Sequence, residues 1–366
     1  MQFGVTAPTW LEVRRAALYA RHALRRWSGW NGQDSSGAGA AAGEPRIAFY
    51  RELWRRAAAA LGEDARFREL DDGFWEVRFR GRCTRMARGM VMLDSPVHVA
   101  LANHKPLVHR LLAAADLPVP PYHEFTLATI ERADAFLQEH GSPCVVKPAR
   151  DSGGGEGVAT HITRANLVRA ALNASVHSRQ ILIERQIPGD SYRLLYLHGR
   201  LLHAIRRHPP RVTGDGRSTI RQLIAAENAR RARDGGASVT RVETDLDLET
   251  SLAQAGYSPG SVPRAGEAVV VKTAVNDNAT SDNVAVTGEI GAALRDAGAR
   301  AAATLGLTLA GVDVITRDPG VSLQQADGVI LEVNAAPGLH HNYNVARPET
   351  VDVAVPLLRC LLGVSD

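Results

Sequence analysis

Val329-Ile-Leu-Glu332-Val-Asn334-Ala-Ala-Pro337-Gly338 sets a carboxylate and an amide two residues apart inside an otherwise apolar strand pattern. Side chains at i and i+2 of a β-strand leave the same face, so Glu332 and Asn334 would offer oxygen atoms side by side. Upstream, Ala310-Gly-Val-Asp313-Val-Ile315 is a second apolar run with one carboxylate, and a segment holding Asp318, Pro319 and Gly320 joins the two. The pattern predicts an antiparallel hairpin with Asp313 beside Glu332 and Asn334. Such an all-oxygen set suits Mg2+, or Mn2+ in its place, carrying nucleotide phosphates. By itself a Glu-x-Asn on a strand describes a solvated face equally well, and the rest of the chain has to decide.

Pro143-Cys-Val-Val-Lys147-Pro148 reads as a buried strand ending in a lysine, followed by the glycine-dense Ser152-Gly-Gly-Gly-Glu-Gly157-Val158. Glycines let a backbone approach phosphate oxygens and present N–H donors, while Lys147 would supply a point charge. No Gly-Lys-Ser/Thr follows, so this is not a P-loop. Surface loops also use glycine simply to turn. An ammonium inside an apolar run is more telling, because it must find an anion.

Next comes Ile181-Leu-Ile-Glu184-Arg-Gln-Ile-Pro188-Gly189, and then Tyr192-Arg193-Leu-Leu-Tyr-Leu-His198-Gly199-Arg-Leu-Leu-His-Ala-Ile205, two strand-like runs around a His-Gly turn. This predicts a hairpin carrying Arg193 on one strand and Arg206-Arg207-His208 at the end of the other. The separation is 13 from Arg193 to Arg206 and 14 to Arg207, so spacing leaves open which arginine shares its face. Either makes a cationic wall.

The order Lys105, Val-Val-Lys147-Pro, glycine loop, Ile-Glu184-Arg-x-Ile-Pro-Gly, Tyr192-Arg193, Pro209-Pro210-x-Val-x-Gly214-Asp215-Gly216, Val-Asp313-Val and Glu332-Val-Asn334-Ala-Ala-Pro-Gly resembles the ATP-grasp domain of cyanophycin synthetase. More distantly it is similar to D-alanine-D-alanine ligase and to glutathione- and glutamate-adding ligases. The likeness runs from about residue 100 to 345 and rests on many motifs in one order. It implies an α+β ATP-grasp fold, two subdomains clamping ATP, with a smaller N-terminal domain. Lys105 and Lys147 would contact ATP phosphates. Ile181 to Gln186, with Glu184 and Arg185 among them and Ile187 beyond, would line the adenine slot. The loop of Ser152, Gly153, Gly154, Gly155 and Gly157 would close over the γ-phosphate. Asp190 would stand near the ribose, Asp313, Glu332 and Asn334 would hold Mg2+, and Arg193 and Arg207 would face the acyl-phosphate and the substrate carboxylate.

Three departures from that pattern stand out. Ser191 occupies the position where the family commonly has an acid for the ribose, with Asp190 shifted by one. Arg206 stands where cyanophycin synthetase resembles a Glu-Arg-Arg run. Asn276-Asp-Asn-Ala-Thr-Ser-Asp-Asn283 replaces a glycine-bearing Asn-Leu-Ser-Thr-Gly-Gly segment, which points to a different amino-acid substrate. The family also has a C-terminal Mur-ligase-like module for which no sequence stands after Asp366, so single additions are expected rather than alternating polymerisation.

The implied chemistry is ATP-dependent ligation of a carboxylate to an amine through an acyl-phosphate, with amino-acid or peptide substrates. An ATP-grasp phosphotransferase and a non-catalytic nucleotide-binding module are the alternatives; the latter is expected to lose a metal ligand, and all three are present. No covalent protein nucleophile is needed, so Cys83, Cys144 and Cys360 read as small buried hydrophobes. His340-His341 fits either a contact to phosphate or substrate, or a structural helix start.

At 366 residues and 45% hydrophobic content the chain can bury two or three cores. Three cysteines without regular spacing fit a reducing cytoplasm, and no run approaches a membrane span or a signal-peptide core. Partners expected are small molecules, not membranes; a homo-oligomer is compatible. Residues 1–30 hold Arg14, Arg15, Arg21, Arg25 and Arg26 against Glu12, a charge of +4 that equals the excess of the whole chain. Interleaved Trp10, Trp27 and Trp30 suit a nucleic-acid or membrane-surface helix. Leu11, Ala17, Leu18 and Leu24 better suit a helix docked on the next domain with solvated arginines, so nucleic acid is not expected. The expected division is an N-terminal domain at 1–98 with a mobile loop at 28–43, a small ATP-grasp subdomain at 99–183, and a large one at 184–366 with an insertion at 211–268. Within it, helices are predicted at 46–61, 105–115 and 219–232, and a strand at 74–79.

Overall fold

The computed structural model describes residues 10–31, 38–150, 155–234, 240–275, 282–343 and 352–364. Two long helices come first, α1 (Trp10–Asn31) and α2 (Ala38–Ala59). Of the loop expected at 28–43, residues 28–31 and 38–43 are helical, and 32–37 lie outside the described residues. Ala38, Ala40, Ala41 and Ala42 outweigh the interspersed glycines, because alanine has the highest helix propensity. Leu11 and Leu18 of α1 do not face the N-terminal sheet but the small subdomain, and Arg15 Nε donates to Ser175 O at 2.9 Å.

An antiparallel sheet of β1 (Arg66–Asp71), β2 (Phe74–Phe79) and β3 (Arg82–Ala87) follows. The alternation of Phe74 to Phe79 puts Trp75, Val77 and Phe79 into a core with Tyr50, Leu53 and Trp54 of α2. Helices α3 (Pro96–Ala102) and α4 (Lys105–Ala114) come next, α4 capped by His104 Nδ1, which accepts from Leu107 N at 3.2 Å.

The small sheet contains β4 (Tyr122–Phe125), β5 (Cys144–Pro148), β6 (Ala159–Ile162) and β7 (Ile181–Arg185) in the order β4-β7-β5-β6. Helices α5 (Ile130–His140) and α6 (Leu167–Ser175) cover the face carrying Cys144, Val146, Ile181 and Ile183. The expected boundaries shift on both sides. Glu184 pairs with Tyr122 and Val145, so the small sheet runs past 183. Val108, Leu112 and Leu117 pack on the large subdomain, so the stretch from 99 to about 117 belongs there.

The large sheet begins with the hairpin of β8 (Asp190–Leu197) and β9 (Arg200–Arg207). An excursion follows: β10 (Arg211–Thr213), α7 (Ile220–Asp234), α8 (Leu246–Gln254) and β11 (Ala268–Val270), with a core of its own around Ile220, Leu248 and Val269. The chain returns through β12 (Val284–Ala285), α9 (Ala292–Thr304), β13 (Leu309–Thr316) and β14 (Val329–Ala335), giving the order β12-β9-β8-β13-β14, and α10 (Ala354–Leu361) packs back on the N-terminal core. Tyr192, Leu194, Val312 and Val333 line one face of this sheet under α9, while Leu195, Leu197 and Leu309 meet the N-terminal unit on the other.

The excursion is stitched to the small sheet. Asp247, 1% exposed, accepts from Thr160 N and Oγ1 at 3.0 and 2.6 Å and, through its other oxygen, from Ala274 N at 3.0 Å. His161 Nε2 and Thr273 Oγ1 lie 2.8 Å apart.

Candidate active site

The hairpin expected from the C-terminal motifs forms: Asp313 pairs with Glu332 and Gly311 with Asn334. Residues opposite each other share a face, so all three oxygen-bearing side chains leave the same side of the sheet. Gly311 makes room there, since a Cβ would stand 2.8 Å from Pro337 Cβ. Asp313 also pairs with Arg193 across β8.

The face of the β8–β9 hairpin is decided by a bulge. Leu197 pairs with Arg200 and Tyr196 with Leu201, but Leu195 pairs with His203, so Leu202 is an extra residue. Beyond it Arg193 pairs with Ile205 and Ser191 with Arg207, which sets Arg207 on the face of Arg193 and turns Arg206 to the other. Across four adjacent strands the face then reads Arg207, Arg193, Asp313, Glu332. Arg193 Nε and Nη2 each donate to an oxygen of Asp313 at 2.6 Å, and Arg207 Nη1 stands 3.8 Å from Asp313 Oδ2. Burial opposes the charge on Arg193, but Asp313 outweighs it and holds the pKa above its ordinary value. At Arg207 burial and then the charge of Arg193 outweigh Asp313 and bring the pKa down to about 10. The same two guanidiniums outweigh burial at Asp313 and keep its pKa low.

Asp190 stands apart from this row. It lies on the face opposite Arg193, more than half exposed, with Arg206 Nη1 at 3.5 Å, so alternation along β8 turns it away from the row of charges. Arg185 leaves β7 on the helix-covered face, opposite Glu184, where it pairs with Cys144 and is itself exposed at the strand end. Ile187 is half-buried in the crossing between the two sheets.

On the small sheet, Lys147 and Glu184 share the face not covered by helices, with Lys147 Nζ 2.7 Å from Glu184 Oε1 and both buried. The anion that Lys147 needs is thus Glu184. Helix α4 touches both halves at residues one turn apart. Lys105 Nζ stands 3.9 Å from Glu332 Oε1, and His109 Nδ1 3.7 Å from Glu184 Oε1, with His109 Nε2 3.2 Å from Leu331 O. His109 is a residue that spacing did not reveal, since a lone histidine on an apolar helix face looks like packing; burial lowers its pKa. Of the glycine loop, Ser152, Gly153 and Gly154 lie outside the described residues. Gly155 and Gly157 take φ of +79° and +75°, and a Cβ on Gly157 would stand 2.7 Å from His177. The polar stretch from 276 lies outside them up to residue 281; Asn283 is buried.

His340 and His341 sit on the turn Leu339–Asn342 after β14, rings 4.1 Å apart. Tyr50 OH lies 3.1 Å from His340 Nδ1, and His203 Nδ1 3.1 Å from Asn342 Oδ1. Burial, then the charges of Arg46, Arg193 and Arg207, bring His340 down to about 3. His341 is also held well below its usual range, by burial and then by His340 and the arginines. Below about pH 6.5 the unfolded chain takes up protons that the folded one refuses, so stability should fall as pH drops. For His340 alone the loss between pH 7 and 5 should be about 2 kcal/mol. Urea midpoints at the two pH values check this, and His340→Gln should flatten the difference.

The donor set of Asp313, Glu332 and Asn334 fits a hard divalent cation, having oxygens only. Among the described residues no three of His, Cys, Asp and Glu converge, so Mg2+ would draw its remaining ligands from phosphate and water. Lys147→Met should weaken ATP binding by about ten- to a hundredfold in calorimetry, the effect of losing one charge-assisted hydrogen bond. The double change with Glu184→Gln removes the stranded carboxylate, and unchanged affinity in it would make Lys147 purely structural.

Residues 111–197 match the family described as D-ala D-ala ligase C-terminus. Cyanophycin synthetase of Trichormus variabilis is 32% identical over 310 residues, 81% of this chain and 34% of that protein. The glutathione biosynthesis bifunctional protein of Streptococcus thermophilus is 29% identical over 260 residues, 69% of this chain and 34% of that protein. The chain thus spans about a third of the length of the curated relatives it matches. The crystal structure of a bifunctional glutathione synthetase from Pasteurella multocida covers 82% of this chain and 41% of its own at a TM-score of 0.52 and 19% identity. No helix among the described residues is long and apolar enough to cross a membrane. Two antiparallel sheets bridged by Lys105 and His109 of α4, in a chain so related, give this protein an ATP-grasp fold and make it a homologue of the cyanophycin synthetases over four-fifths of its length.

Proposed function

We propose that the chain is an ATP-dependent carboxylate-amine ligase, joining an amino-acid-like carboxylate to an amine through an acyl-phosphate with release of ADP and phosphate. The observation that carries this is the pair of buried guanidiniums, Arg193 and Arg207, on one face with Asp313, Glu332 and Asn334. A phosphotransferase needs cations for the transferring phosphoryl group, which Lys105 and Lys147 supply. It does not need a second cationic wall beside the metal ligands.

The roles follow from charge. A carboxylate is a poor electrophile, and phosphorylation gives it a leaving group. Bound Mg2+, held by Asp313, Glu332 and Asn334, would neutralise charge on the phosphates. Lys147, fixed by Glu184, and Lys105, at the start of α4, bind and orient the phosphate chain. Gly155 and Gly157 belong to the loop beside it. Glu184, with the backbone from Ile181 to Ile187, borders the nucleotide between the sheets. Arg193 and Arg207 hold the carboxylate and stabilise the oxyanion when the amine attacks, the kind of fixed electrostatics that contributes most to such reactions. Asp190 and the Arg185 side chain take no part.

The test is a screen of amino-acid pairs with Mg2+ and ATP, reading ADP release and the mass of the product. Substrate-dependent ADP with a mass increment of an amide supports the ligase. A phosphorylated product stable to hydroxylamine means a phosphotransferase, and ATP binding with no turnover on any pair means a nucleotide-binding module.

A further inference from the structure

We propose that His341 receives the incoming amine, accepting a hydrogen bond from it at Nδ1 and taking its proton as the new C–N bond forms; this rests on the ligase reading above. Among the described residues His341 Nδ1 is shielded from solvent and has no hydrogen-bond partner. A buried polar atom left in that state costs about 1–3 kcal/mol, so the fold gains by offering it to a ligand.

The ring is held by others. His340 stacks on it, and Tyr50 of α2 fixes His340 both by the contact at Nδ1 and by an edge-to-face packing at 6.2 Å. Asn342, one residue on, is tied to His203 of β9. Two separate parts of the chain, the N-terminal unit and the large sheet, thus set the position of one short turn.

The surroundings are cationic: Arg193 on β8, Arg207 on β9 and Arg46 on α2 all act on the imidazole, and His340 beside it is kept neutral. Burial, then His340 and the arginines, keep this imidazole neutral, so it can accept a proton. The acyl-phosphate brings negative charge that offsets the arginines and strengthens the base when it is needed. In the step itself, the nitrogen lone pair attacks the acyl carbon and the bond from that carbon to the phosphate oxygen breaks. The electron pair leaves with phosphate, and the amine proton passes to His341 Nδ1 and on to the departing phosphate.

The experiment compares two nucleophiles on the full chain with Mg2+ and ATP, each common amino acid being supplied in turn as carboxylate donor. One nucleophile is a second amino acid, whose ammonium must lose protons. The other is hydroxylamine, largely unprotonated at neutral pH and reactive without a base. His341→Ala should keep hydroxamate formation near the wild-type rate and lower amide formation by about 10²–10⁴-fold. Its amide rate should rise with pH more steeply than that of the wild type. His341→Gln, which can accept the hydrogen bond but not the proton, should restore KM for the amine without restoring kcat. Equal loss with both nucleophiles would make His341 a binder of phosphate or carboxylate and overturn the proposal, and so would equal retention. If the wild type forms no hydroxamate from any donor, the ligase reading falls, and this proposal with it.

Discussion

Asp313→Ala should lower the unfolding free energy by about 3–5 kcal/mol, the cost of stripping the partner from a buried ion pair. Asp313 is 6% exposed and carries two contacts from Arg193, with Arg207 close by. Its removal leaves two guanidiniums in a site with little water, and a compensating anion from solvent reaches them poorly. Denaturant titration checks this. Adding Arg193→Met to Asp313→Ala should recover part of the loss, because an apolar side chain in that place leaves one fewer stranded charge. A variant within about 1 kcal/mol of the wild type would show that the pair does not hold the sheet together. The consequence for enzymology is that loss of activity on changing Asp313 cannot be assigned to metal binding alone.

Glu332 separates the two effects. Its side chain is 32% exposed and its ion-pair contact to Lys105 is a loose 3.9 Å, so Glu332→Gln should leave stability within about 0.5 kcal/mol of the wild type. Mg2+-dependent ADP formation should nonetheless fall by roughly a thousandfold or more, since a metal's share in stabilising the phosphoryl transition state is several kcal/mol. The measurement is substrate-dependent ADP release beside a thermal melt. Near wild-type turnover in a folded variant would remove Glu332 from the metal set.

Much of this site could be read from the chain because strands have a period of two. The i and i+2 placement of Glu332 and Asn334, and one carboxylate in the facing apolar run, leave little freedom in how the hairpin pairs. The β8–β9 hairpin was not so legible. The turn His198-Gly199 taken alone would bring Arg206, not Arg207, onto the face of Arg193; the extra residue at Leu202, which packs on the N-terminal core, reverses this, and no local signal in the sequence marks the bulge. Asp190 turns away from the row for the same reason, one step along the strand being a change of face. His109, Tyr50 and Asp247 act through contacts at separations of 75, 290 and 87 residues, which no pattern in a single sequence displays. The alanine-rich start of α2 was misread because composition alone does not tell a loop from a helix of small residues.

The excursion between β9 and β12 has a mechanical meaning. Thr273 is bonded to His161 of the small sheet, and two residues later the carbonyl of Val275 accepts from Arg207 Nη2 at 3.1 Å on the large one. Three residues of chain therefore span the gap between the halves like a taut cord, anchored at one end on the guanidinium assigned to the reacting carboxylate. A substrate carboxylate that engages Arg207 at Nη2 meets a nitrogen that already donates to this carbonyl.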